Sequence, residues 1–444
     1  MTISERLDRL PVTRRHRYVV ALVGVATFFD LYDLFLAGTI STVLTKQFAV
    51  SPGDLKLLLA SAFLGAFVGA LGLGRLADRV GRRTAFLVTL GLYSVFTLLG
   101  AFSTEVWMLV VCRFIAGIGI GAELPLADAY LADLLPAKHR GRATAWAYTI
   151  GFCGVPAAGF LARWLAEYEN GWRWLFVIGG LGAVVVLALR TGLPESPRWL
   201  VSQGRYEEAE AVVRRFEKET PEVITPEAPP SPKAPATALF RPPWLKRTAM
   251  LYVFQALQAF GYYGFGSLVP IVLAAKGFHL STSLTYVALT FLGYPLGSAL
   301  SIPIIERAQR KWLIIGSAAG MAGFGLAFGY ATTSAAIITF GFCYTLLSNV
   351  FSNAFHTYQG ELFPTELRAT AAGSAYSLSR LATAAMPFVL LPVLTGSGPG
   401  AMFAIVAGAM MILIVDVALL GPPTTGRSVE SIADGSTMRT GATR

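Results

Sequence analysis

The 444-residue chain is 54% hydrophobic and 14% charged, with a mean hydropathy of +0.58. Soluble domains carry about a quarter charged residues, so an ordinary water-soluble fold is excluded and a membrane protein is indicated. The net charge of +10 does not argue for nucleic acid, because Lys and Arg cluster beside apolar runs, where one face of a membrane protein gathers them.

The charged N-terminus, Met1 to Tyr18, leads into an apolar run interrupted by Asp30 and Asp33 and shows no small-residue cleavage site, unlike a removable signal peptide. Apolar runs of about twenty residues predict spans at Tyr18–Thr45, Leu55–Ala77, Thr84–Ser103, Trp107–Leu131, Ala143–Leu165 and Trp172–Leu193. Six more follow at Thr248–Ala274, Leu284–Ile305, Trp312–Ala331, Ala335–Thr357, Ala369–Leu394 and Ala401–Leu420. Between the two sets, Gln203–Glu219 has a helical pattern with many charges. Thr220–Pro243 is too rich in Pro for a helix to persist and is expected to be a flexible tether. Cys112, Cys153 and Cys343 fall inside apolar runs and are expected to be buried thiols rather than a disulfide or metal site.

The two sets are copies. Gly74–Arg83, with Asp78, is matched by Ile305–Lys311, with Glu306, at an offset of 306 − 78 = 228. Asp133, Pro136 and Arg140 stand the same distance from Glu361, Pro364 and Arg368, and Pro194 from Pro422. A constant offset between punctuation residues indicates one design read twice in the same direction. The expected fold is therefore all-α, twelve transmembrane helices in two six-helix bundles. Residues 1–193 form the first, 194–246 a linker, and 247–444 the second bundle with a tail. Basic residues at 14–17, 75–83, 138–142, 198–218, 307–311, 368 and 427 fall on one side. The other side holds chiefly Lys46, Lys56, Arg163 and Lys276, so both termini are expected in the cytoplasm.

A charge at mid-bilayer costs roughly 2.5–3.5 kcal/mol on insertion scales, which singles out Asp30, Asp33, Arg113, Glu123, Asp128, Arg380 and Asp416. At about 1.5 Å rise per residue, Asp30, Glu123 and Arg380 share one depth with Gln255, Gln258 and Asn349, where a repeat-built carrier holds its substrate. Asp30, Asp33, Glu123 and Arg113 are the candidate proton-coupling residues, because a buried carboxylate can carry a proton. Arg113 could instead pair with an acid such as Asp33 to hold two helices together, and Gly117 and Gly121 after it form a small-residue seam. Asp128 and His356 are expected near a gate. Among the aromatic residues, Phe28, Trp146, Tyr262 and Tyr294 are candidates to stack on a planar substrate, beside the alternative of plain packing.

Gly74–Arg83, Asp133–Arg142, Pro194–Leu200 and Pro423–Glu430 resemble signature motifs of the major facilitator superfamily, in its sugar-porter and organic-ion branches. The family's usual acid is replaced by Thr424, and Phe260-Gly261-Tyr262-Tyr263 departs from the sugar-porter pattern, so a hexose is disfavoured. The opening Ile3–Arg14 with Phe28–Asp33 resembles bacterial niacin transporters, organic-ion carriers and synaptic vesicle glycoproteins. In that group an Arg in the eleventh span goes with anionic substrates, and Arg380 fits. The resemblance implies a monomeric inner-membrane carrier that imports a small organic anion, best nicotinate, with protons, and binds no cofactor or metal. The alternatives are an organic cation or sugar carrier, or a non-transporting receptor of the same fold. Asp78, Arg79, Arg83, Asp133, Arg142 and Glu195 are expected to close the inner mouth through ion pairs with Glu306, Arg307, Glu361 and Arg368.

Overall fold

An apolar segment crosses a bilayer without stranding its backbone N–H and C=O groups only if it satisfies them internally, which a helix does. The computed structural model describes residues 3–136, 139–217, 235–305, 307–363 and 365–424, apart from the side chains of 4, 74–78, 365, 366 and 369. Among these residues there are helices and no strand.

The first half runs α1 (Ile3–Arg9), α2 (Arg14–Thr39), α3 (Ser41–Phe48), α4 (Pro52–Val80), α5 (Arg82–Ala101), α6 (Val106–Leu134), α7 (Arg140–Phe152), α8 (Gly154–Leu165) and α9 (Gly171–Arg190). A short helix, α10 (Pro197–Ser202), comes next, and α11 (Tyr206–Arg214) stands within Gln203–Glu219, where one charged helix was expected. The second half runs α12 (Leu245–Ala275), α13 (Leu280–Phe291), α14 (Gly293–Ile305), α15 (Arg310–Tyr330), α16 (Ser334–Glu361) and α17 (Thr365–Leu420). The helices α7 and α8 make one span and α13 and α14 another. Each break stands three residues before a proline, Pro156 or Pro295, whose missing N–H leaves the carbonyl four residues back without its helical partner. α17 is two spans joined at Gly398, where φ is 84°. The eleven continuous apolar segments therefore give twelve spans, six in each half. Most of the tether expected at Thr220–Pro243 lies outside the described residues.

The repeat is visible atom by atom. Tyr130 donates its hydroxyl to the Pro194 carbonyl at 2.7 Å, and Tyr358 to Pro422 at 2.9 Å. Arg140 donates to the Leu135 carbonyl and Arg368 to the Phe363 carbonyl, both at 3.3 Å. Arg82 pairs with Asp133 and Arg310 with Glu361. Every residue in these sets has its counterpart 228 positions on, so the two bundles share internal contacts as well as helix order.

Within the first bundle, α4 and α6 interlock through small residues. A Cβ on Gly117 would stand 2.2 Å from the Ala62 carbonyl oxygen and one on Gly121 2.1 Å from that of Ala66, so only glycine permits this approach. Between the bundles, α2 packs on α12, α8 on α13, α7 on α14 and α4 on α17. At the end away from the termini, a Cβ on Gly38 would come within 2.7 Å of the Ser267 carbonyl oxygen, so there the two halves touch backbone to backbone. At the other end α1 is clamped. Arg6, buried, is held by Glu210 at 3.0 Å and Glu217 at 2.8 Å, while Asp8 accepts from Arg140 and Arg198.

Candidate functional site

A cavity lies between the two halves. Its walls come from α2 (Leu31), α6 (Leu124), α7 (Tyr148, Phe152), α12 (Gln255, Gln258, Tyr262, Tyr263), α16 (Phe351 to Asn353, Phe355, His356) and α17 (Tyr376, Ser379, Arg380). The free volume is about 40 Å³, room for about three waters at 10–15 Å³ each.

Arg380 is 3% exposed and makes no ion pair among the described residues. It donates to the Tyr263 hydroxyl at 2.6 Å, and its guanidinium carbon stands 4.7 Å from the Tyr263 ring centroid and 4.4 Å from that of Tyr376. Its Nε has no hydrogen-bond partner. Two aromatic faces stabilise the cation but leave fork positions that suit a carboxylate. Beside it, Gln258 donates to Ser379 at 2.9 Å and to Gln255 at 3.1 Å, and Gln255 donates to Gln359 at 2.9 Å. This amide row fixes its own orientation and keeps polar groups at the wall.

Four of the residues singled out for substrate contact stand elsewhere. Asn349 is buried behind the wall, accepting from Tyr262 at 3.0 Å and donating to the Tyr294 carbonyl. Tyr294 is fully buried and packs between Phe35, Phe152 and Phe291. Trp146 is 48% exposed and Phe28 stands edge-on against Phe29, and neither lines the cavity. In their place the wall has Tyr148, Phe152, Tyr376 and His356. His356 stacks on Tyr148 at 5.8 Å, and Tyr148 donates to Asp128 at 2.8 Å. Asp128 and His356 are repeat equivalents, as are Tyr148 and Tyr376. His356 is therefore a cavity residue rather than a gate residue, because α16 carries it level with Arg380.

The first-half acids are sorted into two clusters. Asp33 is paired with Arg113, which also donates to its carbonyl at 2.8 Å, and Thr97 donates to the carboxylate at 3.4 Å. Glu123 is paired with Arg190 and accepts from Thr89 at 2.9 Å. Arg190, at the end of α9 and not among the residues singled out from the sequence, is 1% exposed and lies 4.2 Å from the Phe86 ring centroid. Asp30 is 1% exposed, and neither carboxyl oxygen has a hydrogen-bond partner. Asp416 is half-buried with one oxygen likewise unpartnered.

At the terminus-bearing end, the expected ion pairs across the inner mouth are not present among the described residues. Glu195 instead accepts from the backbone N–H groups of Arg82 at 2.8 Å and Arg83 at 3.1 Å, where the start of α5 favours an anion. Asp133 accepts from Ser196 at 2.6 Å, and Arg83 donates to the Thr191 carbonyl. Arg79, Arg142 and Arg307 are exposed, and Arg368 is tied to its own bundle. Glu361 pairs with Arg310 at 3.2 Å. Asp133 and Glu361 are thus engaged by bases of their own bundle and Glu195 by backbone N–H groups of its own, which corrects the cross-bundle expectation for these acids in this conformation. The side chain of Asp78 and all of Glu306 lie outside the described residues. Thr424 is buried with an unpartnered hydroxyl.

Twelve spans in two repeated bundles around a central polar and aromatic cavity define a membrane transporter of the major facilitator class. The family model for sugar (and other) transporters matches residues 18–435, and the chain belongs to that family. It is 31% identical over 436 residues to the putative metabolite transport protein YyaJ of Bacillus subtilis, covering 96% of each. It is 29% identical to the niacin transporter NiaP of Acinetobacter baylyi, covering 97% of this chain and 100% of that one. Among solved structures, a partially occluded inward-open form of the E. coli xylose transporter XylE superposes with a TM-score of 0.76 at 21% identity, covering 93% of this chain and 100% of that one. These relatives are transporters, and the chain is not an enzyme.

Proposed function

We propose that this transporter imports a small organic anion, best nicotinate, together with protons, by alternating access. The observation that carries the reading is Arg380, a buried guanidinium without an acid partner, held between two tyrosine rings on the wall of the central cavity. A substrate carboxylate meets its free fork, the substrate ring lies against Tyr376, Tyr148 and Phe152, and Gln255 and Gln258 offer amide hydrogen bonds to ring substituents. The narrow cavity opens when the bundles rock apart at the terminus-bearing end, while Gly38 against Ser267 keeps the far end closed. Proton coupling is assigned to the first-half acids, with Arg113 and Asp33 as one charge-paired unit. The relative named as a niacin transporter supports the substrate class. The protein works as a monomer in the inner membrane with both termini in the cytoplasm.

A second reading, a sugar carrier, draws on the amide row with Asn353, groups suited to hydroxyl-rich ligands, and on the likeness to xylose-transporter structures. The two separate in a binding assay on purified protein. Nicotinate should bind and xylose should not displace it. Binding of labelled xylose together with no binding of nicotinate would reverse the assignment.

A further inference from the structure

One buried cluster has more donors and acceptors than it satisfies. Asp30 has two unpartnered carboxyl oxygens at 1% exposure, and Arg190, on the neighbouring α9, has Nε and Nη2 unpartnered while its Nη1 holds Glu123. Orphaned buried polar atoms are rare and call for a physical reason. The charged groups acting on Asp30 are Glu123, Arg190 and Asp33. Asp33 is committed to Arg113, and Tyr93 of α5 to the Phe29 carbonyl at 2.9 Å. From α17, Tyr376 lies near enough to interact electrostatically with Asp30. The cluster stands one residue behind the cavity, because Leu31 and Leu124, the next residues after Asp30 and Glu123, line its wall.

We propose that Asp30, Arg190 and Glu123 form a proton switch in which Arg190 gains and loses Asp30 as a second partner. A buried carboxylate without a donor costs several kcal/mol, and a neutral carboxyl there costs less. In this conformation Asp30 carries the proton and Arg190 stays with Glu123. When the Asp30 O–H bond breaks, the proton passes to water reaching the cavity. The new anion draws the free Nε and Nη2 of Arg190 while Nη1 keeps Glu123, so the guanidinium bridges the two acids. Because α2, α6 and α9 carry the three partners, this added tie changes how these helices are held together beside the substrate. Asp30 is the proton carrier, and Arg190 is a positioning residue that supplies or withdraws the counter-charge. The proposal deepens the proton-coupled reading and rests on it.

The test is infrared difference spectroscopy on purified, lipid-reconstituted protein titrated with pH in the absence of substrate, reading the protonated-carboxyl C=O band. A pH-dependent band is expected in the wild type, lost in Asp30→Asn and retained in Asp33→Asn. The double variant Glu123→Gln/Arg190→Gln removes the receiving guanidinium without stranding Glu123, and its Asp30 band should no longer respond to pH in the range where wild type does. A band that survives Asp30→Asn, or a double variant that titrates like wild type, would overturn the switch. If Asp30→Asn does not fold, the double variant decides. Labelled nicotinate uptake in the same vesicles is the separate check on the parent reading, since the spectroscopic result does not depend on which substrate is carried.

Discussion

Replacing Arg380 by Lys keeps the positive charge and removes the planar fork, and replacing it by Ala removes both. The guanidinium has one committed hydrogen bond, to Tyr263 at 2.6 Å, and an unpartnered Nε. A bidentate substrate carboxylate therefore adds two charge-assisted hydrogen bonds at about 1.5–3 kcal/mol each. Losing both at the lower figure, about 3 kcal/mol, weakens binding roughly a hundredfold, at 1.4 kcal/mol per tenfold. Lys recovers one contact, so a loss of about tenfold is expected for Arg380→Lys. Equilibrium binding of labelled nicotinate to purified protein measures both, with nicotinamide as the uncharged control. Nicotinamide should bind wild type poorly and change little across the series. Equal nicotinate affinity in wild type and Arg380→Ala, with both proteins folded, would refute the assignment of Arg380 to the carboxylate.

Asp33→Asn leaves Arg113 buried without its partner and should cost about 3–5 kcal/mol, whereas Asp33→Asn/Arg113→Gln should recover much of it; equal thermal stability of the two variants would contradict a paired, desolvated Arg113. Gly38→Val places a Cβ within 2.7 Å of the Ser267 carbonyl, so the far ends of the bundles should part, and cysteine labelling there should rise; labelling unchanged from wild type would refute that contact as the closure. Hydrogen bonding to Arg6 holds the Glu210 carboxyl below its ordinary value of 4.5. The tie that docks α1 is therefore fully present above that value and weakens as pH falls through the depressed one. Protection of the α1 amides from exchange, taken relative to the intrinsic rate at each pH, should be high at neutral pH and fall in acid, and Arg6→Ala should make it low at both; high protection in the variant would show that other contacts dock α1.

The large-scale fold was legible because its signals are one-dimensional. Apolar runs set the spans, and charged punctuation repeated at 228 residues, from Asp133 and Glu361 to Pro194 and Pro422, set the two bundles. The depth of Arg380 and of the glutamines followed from rise per residue. Which way a side chain points did not follow, because a span is apolar on its lipid face and on its packed face alike, and no amphipathic period separates them. That is why the sequence offers Trp146 and Phe28 as stacking candidates and does not distinguish Tyr376 and Phe152, which line the wall. Arg190 was hidden by its place at the end of an apolar run, where a basic residue ordinarily reaches for the interface. Here it turns inward because Glu123 of α6 offers a buried carboxylate. His356 lies at the cavity wall despite its nearness to a span end, and Asp128 is tied to that wall through Tyr148.

The most direct measurement is uptake of labelled nicotinate into proteoliposomes, compared with and without an acid-outside pH gradient. Accumulation above the external concentration is expected with the gradient, and equilibration alone without it. No nicotinate uptake, or the same uptake in both conditions, would contradict a proton-coupled nicotinate importer.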